Sequence, residues 1–598
     1  MNDLRPLQFI RQGYERFLEA QQLRMSSNVD GLALLAVLGL LCGLLAGAVI
    51  IALRLTMELV ADQYMPGGNV EGFENLSPRA RFLLCVVGGL VIGLILRALK
   101  PKSTSMGVVH VIERLEYHQG HLPFKNAVLQ FIIAALALLS GHSVGREGPS
   151  VHLGAASGSI LARILRVPNN GVRILVASGV AAAIGAAFNT PLAGVIFAME
   201  VVLMDYTVIG FTPVIIAAVS ATSLTRIVFG DATAFAIPAF ELTAVSEIPV
   251  IALMGVMIGC LSALFIQMTL FTTSLFMHQS IWLRTTLAGV ITGSIAMYLP
   301  EVMGTGYDTV NHIFLAQFGL VAVLLLTLAK IVATASAIGL GIPAGLIGPT
   351  LFMGAAGGAA FGWATSLWMP DIASPGFYAI LGMAAMMGAT LQAPLAALIA
   401  LLELTGTQAV ILPGMIAVVM AALITRALFG KSSIYRHLML VRGLDFRNSP
   451  MSKALRRIGV AKVMERNFVE SSAVVSRAAA ESLLQREPRW ILLRSADRKR
   501  TASILPASDL ASFLYQEADP DNPTVQPLED EDDLDLSRIP ALRQEASAVS
   551  IVATLYEADE KMRARDCQLL FVTGAHGAAR HKIYGVVTRE HIDNSYRL

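Results

Sequence analysis

Two segments about 200 residues apart carry the same skeleton. The first reads Gly145-Arg146-Glu147-Gly148-Pro149, then Gly185-Ala186-Ala187-Phe188-Asn189-Thr190-Pro191-Leu192-Ala193, with Glu200 nine residues past Pro191. The second reads Gly345-Leu346-Ile347-Gly348-Pro349, then Gly388-Ala389-Thr390-Leu391-Gln392-Ala393-Pro394-Leu395-Ala396, with Glu403 nine residues past Pro394. Such an echo is accommodated by a chain whose two halves fold alike and break their helices at the same points. Matched Gly/Pro interruptions in two apolar halves point to a repeat-built transport protein, with its site where broken helices meet near the bilayer midplane.

The composition places that repeat in a membrane. Hydrophobic residues make up 55% of the chain and charged residues only 15%, against about 25% charge in soluble domains. Apolar stretches run from residue 31 to 428, and several fall short of the ~20 residues a spanning helix needs. Tilted, paired and half-crossing helices are therefore expected, as an all-α polytopic domain. Arg5, Arg11, Arg16 and Arg24 precede the first stretch, Arg97, Lys100 and Lys102 follow the second, and Lys431, Arg436, Arg442, Arg447, Lys453, Arg456 and Arg457 follow the last. By the positive-inside rule these flanks are cytoplasmic, so a multi-pass protein of the cell inner membrane with both termini inside is expected. Residues 1 to 30 then form a cytoplasmic N-terminal segment. Cys42, Cys85, Cys260 and Cys567 are scattered singly, which implies neither a disulfide framework nor a metal cluster.

After about residue 446 the chain becomes charged and mixed. Two units, about 455 to 520 and 537 to 598, flank an acidic run at 528 to 536 expected to be a solvated linker, because its charges repel one another. Each unit has an aliphatic run followed by a helix-like start: Trp490-Ile491-Leu492-Leu493 before Pro506-Ala507-Ser508-Asp509, and Leu569-Leu570-Phe571-Val572 before Gly585-Val586-Val587-Thr588-Arg589-Glu590-His591. Strand, turn and capped helix, repeated twice, predict a tandem α/β module over 447 to 598.

Glu147 is the residue to which the chemistry points. An acid inside a membrane domain costs about 2.5 to 3.5 kcal/mol on insertion scales and is a functional candidate by default. Gly145, Gly148 and Pro149 break one helix and open the next, whose free N–H groups and positive dipole end attract anions. Glu147 is then a tethered anion competing with a mobile one. The second-half segment 341 to 349 has the same break with no side-chain charge, so backbone amides face the ion there. An inverted-repeat solute symporter is a remote alternative, but it would place coupling-ion ligands in both halves. His142 and His152 are ten residues apart across a Gly-Pro break, and so do not form a helical zinc motif with Glu147.

These motifs resemble those of the CLC family of chloride channels and proton-coupled chloride exchangers, over about residues 31 to 440. Gly145 to Pro149 matches the family's gating-glutamate motif, which implies that role for Glu147. Residues 345 to 349 correspond to the GIFxP motif with Ile347 in place of Phe, and Gly430 to Tyr435 to the segment ending in the pore tyrosine. Gly304-Thr305-Gly306-Tyr307 also looks like a family segment. The resemblance implies a CLC-type inverted repeat with halves at about 31 to 225 and 248 to 428, a pore in each subunit of a homodimer, and no enzymatic activity. Small inorganic anions and membrane lipid are the implied partners, without nucleic acid. The implied anion-binding set is Tyr435, the backbone of Leu346 and Ile347, Met106 with its neighbour Ser105, and Arg146 and Gly148 beside the gate.

Two departures bear on mechanism. The family's GSGIP serine is replaced by Met106, which has no hydroxyl donor; Ser105 is the alternative, one residue off. A fluoride-selective branch also departs at this serine but tends to lack the tyrosine. Family exchangers often have a second, proton-accepting glutamate after the one equivalent to Glu200, where this chain has Val201. That favours a passive voltage- or pH-gated chloride channel, with a proton-coupled chloride or fluoride antiporter as the alternative. Glu200 and Glu403, at equivalent places, are expected to share a scaffold role, and Lys330 to snorkel or pair with an acid. The C-terminal units resemble tandem CBS domains, where Thr588 is the position for contacting an adenine nucleotide; no other cofactor is implied.

Overall fold

The structure, a computed structural model, describes residues 30–65, 68–99, 105–206, 208–231, 235, 247–444, 450–494, 501–514, 533–539, 541–575 and 582–595. The chain divides into two compact units, one from Leu32–Ile164 and Val172–Phe446, the other including Arg447–Leu598 and the short segment Leu165–Gly171.

The first unit is all helical. Its first half contains α1 (Asp30–Tyr64), α2 (Pro78–Ala98), α3 (Gly107–Tyr117), α4 (Phe124–Leu139), α5 (Glu147–Ile164), α6 (Asn169–Phe188), α7 (Pro191–Phe197) and α8 (Val208–Phe229). The second half contains α9 (Ile248–Leu275), α10 (Ile281–Ala296), α11 (Tyr307–Phe314), α12 (Leu320–Gly339), α13 (Ile347–Ser366), α14 (Pro375–Leu391), α15 (Pro394–Thr405) and α16 (Ile411–Leu423), followed by α17 (Ile434–Val441). Among the described residues seven helices are long and apolar enough to cross a membrane, and five shorter apolar ones accompany them. The series α4 to α8 and α12 to α16 repeat each other break for break.

The breaks follow from local chemistry. The apolar run 174 to 204 is divided at Asn189, in the left-handed region at φ 63°, with Pro191 opening the next helix. Gln392 at φ 54° and Pro394 divide the second half in the same way. A left-handed residue ends one helix, and proline's fixed φ and missing N–H suit the first position of the next. Helices α13 and α14 press together where glycines meet, since a Cβ on Gly354 would lie 2.3 Å from the Gly382 carbonyl oxygen. Small residues give this closeness, which lipid cannot drive hydrophobically.

The second unit holds α18 (Pro450–Arg457), α19 (Val460–Val463), β1 (Phe468–Ser471), β2 (Val474–Ser476), α20 (Arg477–Leu484), β3 (Trp490–Arg494), β4 (Thr501–Pro506), α21 (Ala507–Leu514), β5 (Asp533–Asp535), β6 (Gln544–Ser550), α22 (Leu555–Arg565), β7 (Leu569–Thr573), β8 (Ile583–Thr588) and α23 (Arg589–Ser595). Six strands form one sheet in the order β1-β3-β4-β6-β7-β8. Strand β1 runs parallel to β3 and β3 antiparallel to β4; β6 runs parallel to β7 and β7 antiparallel to β8. The same three-strand pattern thus occurs twice, joined by antiparallel pairing of β4 with β6. The acidic run is not wholly a linker: Asp533–Asp535 pairs antiparallel with β2, and Leu534 and Leu536 are buried in the core of the first repeat. Alternating leucines anchor a stretch that its charges alone would have left in water. Residues 528 to 532 lie outside the described residues.

Candidate functional site

The two echoed motifs meet in space. Gly145 and Gly345 exchange both backbone hydrogen bonds, N–H to O at 2.7 and 2.8 Å, as an isolated antiparallel bridge joining the halves. Gly148 packs on the same contact, and a Cβ there would lie 2.6 Å from the Gly345 Cα. These glycines exist because backbone touches backbone. The bridge brings the N-terminus of α5 against that of α13, so amides without intrahelical acceptors converge from both halves.

Glu147 is fully buried at this junction. Its Oε2 accepts from the Gly348 N–H at 3.0 Å, and its Oε1 accepts from the phenol O–H of Tyr307. An acid of the first half is therefore held by one amide and one hydroxyl of the second. The amide is that of Gly348, which follows Leu346 and Ile347, the residues whose backbone is expected to face the anion. Ile347 is buried as the first residue of α13 and Leu346 is that helix's N-cap.

Tyr307 is fixed from both ends of its own segment. The Glu71 carboxylate accepts from the Tyr307 N–H at 3.0 Å, from the Asp308 N–H at 3.4 Å and from the Thr305 hydroxyl. Burial, then repulsion from Asp308, pushes the Glu71 carboxyl up to about 7, with Arg146 pulling the other way. Lys330, buried in α12, donates to the carbonyls of Val302 at 2.9 Å and Gly304 at 3.0 Å and lies 4.6 Å from the centre of the Phe352 ring. The expectation that Lys330 snorkels or pairs with an acid is thus corrected. It sits too deep to reach water, and bent backbone ahead of α11 offers it two carbonyls instead.

Two cavities flank Glu147. One, of about 540 Å³, is lined among others by Arg54, Glu71, Arg146, Arg226 and Tyr307. There the Arg146 guanidinium lies 5.3 Å from the centre of the Tyr307 ring and donates to the Ala187 carbonyl at 3.2 Å. The other, of about 610 Å³, is lined among others by Met106, Gly148, Arg284, Leu346, Tyr435 and Arg442. Arg146 and Gly148, adjacent to Glu147 in sequence, therefore face different cavities. Tyr435, at the start of α17, is buried, and its hydroxyl has no hydrogen-bond partner in the protein. A buried O–H left without a protein acceptor is the arrangement expected of a ligand donor.

Met106 is the extended N-cap of α3 and lines the second cavity. Ser105 contributes its carbonyl to Asn126 at 2.9 Å, and it is Met106 rather than Ser105 that borders the cavity. The Gly107 N–H is taken by Gln130 at 2.8 Å.

Glu200 and Glu403 act on each other's repeat. Glu403 accepts from the N–H groups of Leu192 and Ala193 at 2.9 and 2.7 Å, which open α7; Glu200 accepts from those of Leu395 and Ala396 at 3.3 and 2.7 Å, which open α15. Each carboxylate caps the first turn of the other half's helix, where the dipole favours negative charge. Val201 is buried beside Glu200. The two histidines have separate partners: His152 meets His110 at 2.9 Å, and His142 meets Ser140 at 2.9 Å. Among the described residues no group of three or more His, Cys, Asp or Glu is placed to hold a metal ion. Thr588 caps α23, its hydroxyl accepting from the His591 N–H at 3.1 Å, and borders a cavity of about 500 Å³ between the two α/β repeats.

Residues 88–426 match the family model described as voltage gated chloride channel. The chain is 33% identical over 363 residues to a ClcB-like chloride channel protein of Ralstonia nicotianae, covering 60% of this chain and 84% of the relative. It is 30% identical over 414 residues to the H(+)/Cl(-) exchange transporter ClcA of Vibrio cholerae, covering 67% and 88%. The solved structure of a slow cyanobacterial Cl-/H+ antiporter shares the fold with a TM-score of 0.59 at 23% identity, covering 70% of this chain and 99% of that one. Matching motifs, matching fold and a family model covering more than half of the sequence agree: the chain belongs to the voltage gated chloride channel family, the CLC proteins.

Proposed function

We propose that this protein is a proton-coupled chloride antiporter in which Glu147 binds the proton and competes with chloride for one site. The reading is carried by the Glu147 carboxylate resting on the Gly348 amide and the Tyr307 hydroxyl. Donors that hold a carboxylate also suit a halide, and they cannot hold both. Hydrogen bonds to a charged group contribute about 1.5 to 3 kcal/mol each, against about 0.5 to 1.5 for neutral ones. Protonation therefore weakens the hold on Glu147, lets it leave and frees the donors for an anion. Returning to the site requires shedding the proton, so each anion displaced is linked to a proton carried.

This sets aside the passive channel that Val201 favoured. Relatives named as an H(+)/Cl(-) exchange transporter and a Cl-/H+ antiporter support the exchanger, and the missing acid at 201 then means that protons reach Glu147 by another route. Tyr435, with its free hydroxyl, holds the anion on the inner side with the backbone of Leu346, while Met106 narrows that cavity without donating. Chloride rather than fluoride is the substrate, because the tyrosine is kept. The inner cavity faces the cytoplasm in this reading, which the basic residues Arg97 and Arg442 in its lining support. Two copies pair, each with its own pathway, and the C-terminal tandem units act as a CBS-like module.

The deciding measurement is the zero-current voltage of the purified protein in liposomes under crossed chloride and pH gradients. A potential that shifts steadily with the pH gradient supports exchange. One fixed by the chloride gradient alone rejects it.

A further inference from the structure

The sequence pattern gives no hint that a phenol touches the gate. Tyr307 lies 160 residues from Glu147, yet its O–H donates to Glu147 Oε1 while the Gly348 N–H donates to Oε2. The tyrosine is 7% exposed, and its ring packs edge-on against Phe235 at 5.0 Å and tilted against Phe188 at 6.1 Å. Glu71 holds its backbone N–H, and Lys330 holds the carbonyls of the turn before it. The hydroxyl is therefore aimed at one point by the two rings, the carboxylate and the ammonium that fix its segment. A donor fixed before the ion arrives costs no reorganisation when the ion binds.

We propose that Tyr307 is a specificity-determining ligand of the transport pathway, whose phenol latches the Glu147 carboxylate and then donates to the anion that replaces it. The inference rests on the gating role of Glu147 given above. Glu147, Arg146 and Glu71 are the charged groups facing this tyrosine, with Lys330 and Asp308 behind its backbone. When the carboxylate moves out, the phenol O–H and the Gly348 N–H are left pointing at a space that held an anionic oxygen pair. A halide fits the same two donors. Met106 has removed a side-chain hydroxyl from the inner cavity, whereas Tyr307 supplies one at the border of the outer cavity. A hydroxyl donor compensates dehydration most for a small, strongly hydrated anion, so Tyr307 favours chloride over nitrate or thiocyanate.

The test compares wild type, Tyr307→Phe, Glu147→Gln and the double variant, full length in liposomes, by anion efflux with chloride and with nitrate. Tyr307→Phe keeps the ring contacts and removes only the hydroxyl. Its chloride-to-nitrate flux ratio is expected to fall at least threefold, and by the same factor in the Glu147→Gln background, where the latch has lost its charge and only a weaker neutral acceptor remains. Chloride flux at pH 7.5 is expected to rise severalfold in the single variant and not in the double one. A chloride-to-nitrate ratio unchanged in the Glu147→Gln background overturns the proposal. Should Tyr307→Phe melt well below wild type, Tyr307→His, which retains a ring N–H donor, decides instead: a ratio close to wild type supports the assignment and a ratio fallen threefold refutes it. Failure of the underlying reading shows separately, as wild-type pH dependence in Glu147→Gln alone.

Discussion

The reciprocal caps give the sharpest structural test. Replacing Glu403 by Ala removes the acceptor for the Leu192 and Ala193 amides at 2.9 and 2.7 Å. A bond to a charged group contributes about 1.5 to 3 kcal/mol, so two amount to roughly 3 to 6. Leu192 is 52% exposed and water replaces part of what is lost, so about half, roughly 1.5 to 3 kcal/mol, is the expected destabilisation. Unfolding entropy near 2.1 cal/mol/K per residue, over about 400 residues, gives about 0.85 kcal/mol per degree and thus a Tm drop of about 2 to 3.5 °C. Glu403→Gln keeps one acceptor and should fall about half as far. Glu200→Ala, whose bonds are 3.3 and 2.7 Å, should lose somewhat less than Glu403→Ala. Thermal unfolding of detergent-solubilised protein reads these shifts, alongside chloride flux in liposomes. The cap assignment is refuted if Glu200→Ala or Glu403→Ala melts within 1 °C of wild type while proton-coupled flux collapses, because that pattern belongs to a transport acid.

Glu147→Gln should lose the pH dependence of chloride flux between pH 4.5 and 8 while transporting at least as fast as wild type at pH 7.5; flux measured across that range checks it, and a retained pH slope contradicts the gate. Gly345→Ala should cut transport at least tenfold, because its Cβ would lie 2.5 Å from the Gly148 nitrogen and 2.7 Å from the Gly145 oxygen and only backbone movement at the bridge relieves that. Glu71, with its carboxyl raised to about 7 from 4.5, binds more protons folded than unfolded between those values. Stability therefore falls as pH rises through that window and levels off above it. Glu71→Gln should flatten the decline in Tm from pH 4.5 to 7, and a steeper decline would refute the assignment.

The scaffold was legible where local chemistry decides it. Proline and a left-handed residue divide the helices at 189 to 191 and 392 to 394, and both signals stand in the sequence. The burial of Glu147 at the junction was legible too, because an acid between Gly-Pro breaks has few other reasons to be in a membrane. Its partners were harder to read. The amide that holds it belongs to Gly348, and choosing among the first-turn amides of α13 depends on how the two helices face each other. Tyr307 was visible in a family-like segment, but a contact across 160 residues leaves no periodic trace. Lys330 misled because burial depth, which decides between water, acid and carbonyl, is set by packing. At 533 to 536 the alternation of leucine with aspartate was present, but charge dominated the reading of the run.

The asymmetry between the two motifs is what makes a duplicated scaffold responsive. Position 147 is an acid, whereas its counterpart in the second half is Ile347. Had both halves kept a carboxyl, two would meet at one junction, and repulsion would force one of them to hold its proton permanently. Had neither, the amides would have no tethered competitor, and nothing would tie an anion's passage to a proton. With one acid, the first half contributes the carboxylate and the second contributes the amide and phenol that hold it. Arg146 and Leu346 extend the division, since the first lines the cavity that holds Tyr307 and the second the cavity that holds Tyr435. In the proposed mechanism, a single protonation on one repeat thereby decides whether the other repeat's amide and phenol hold a side chain or an ion.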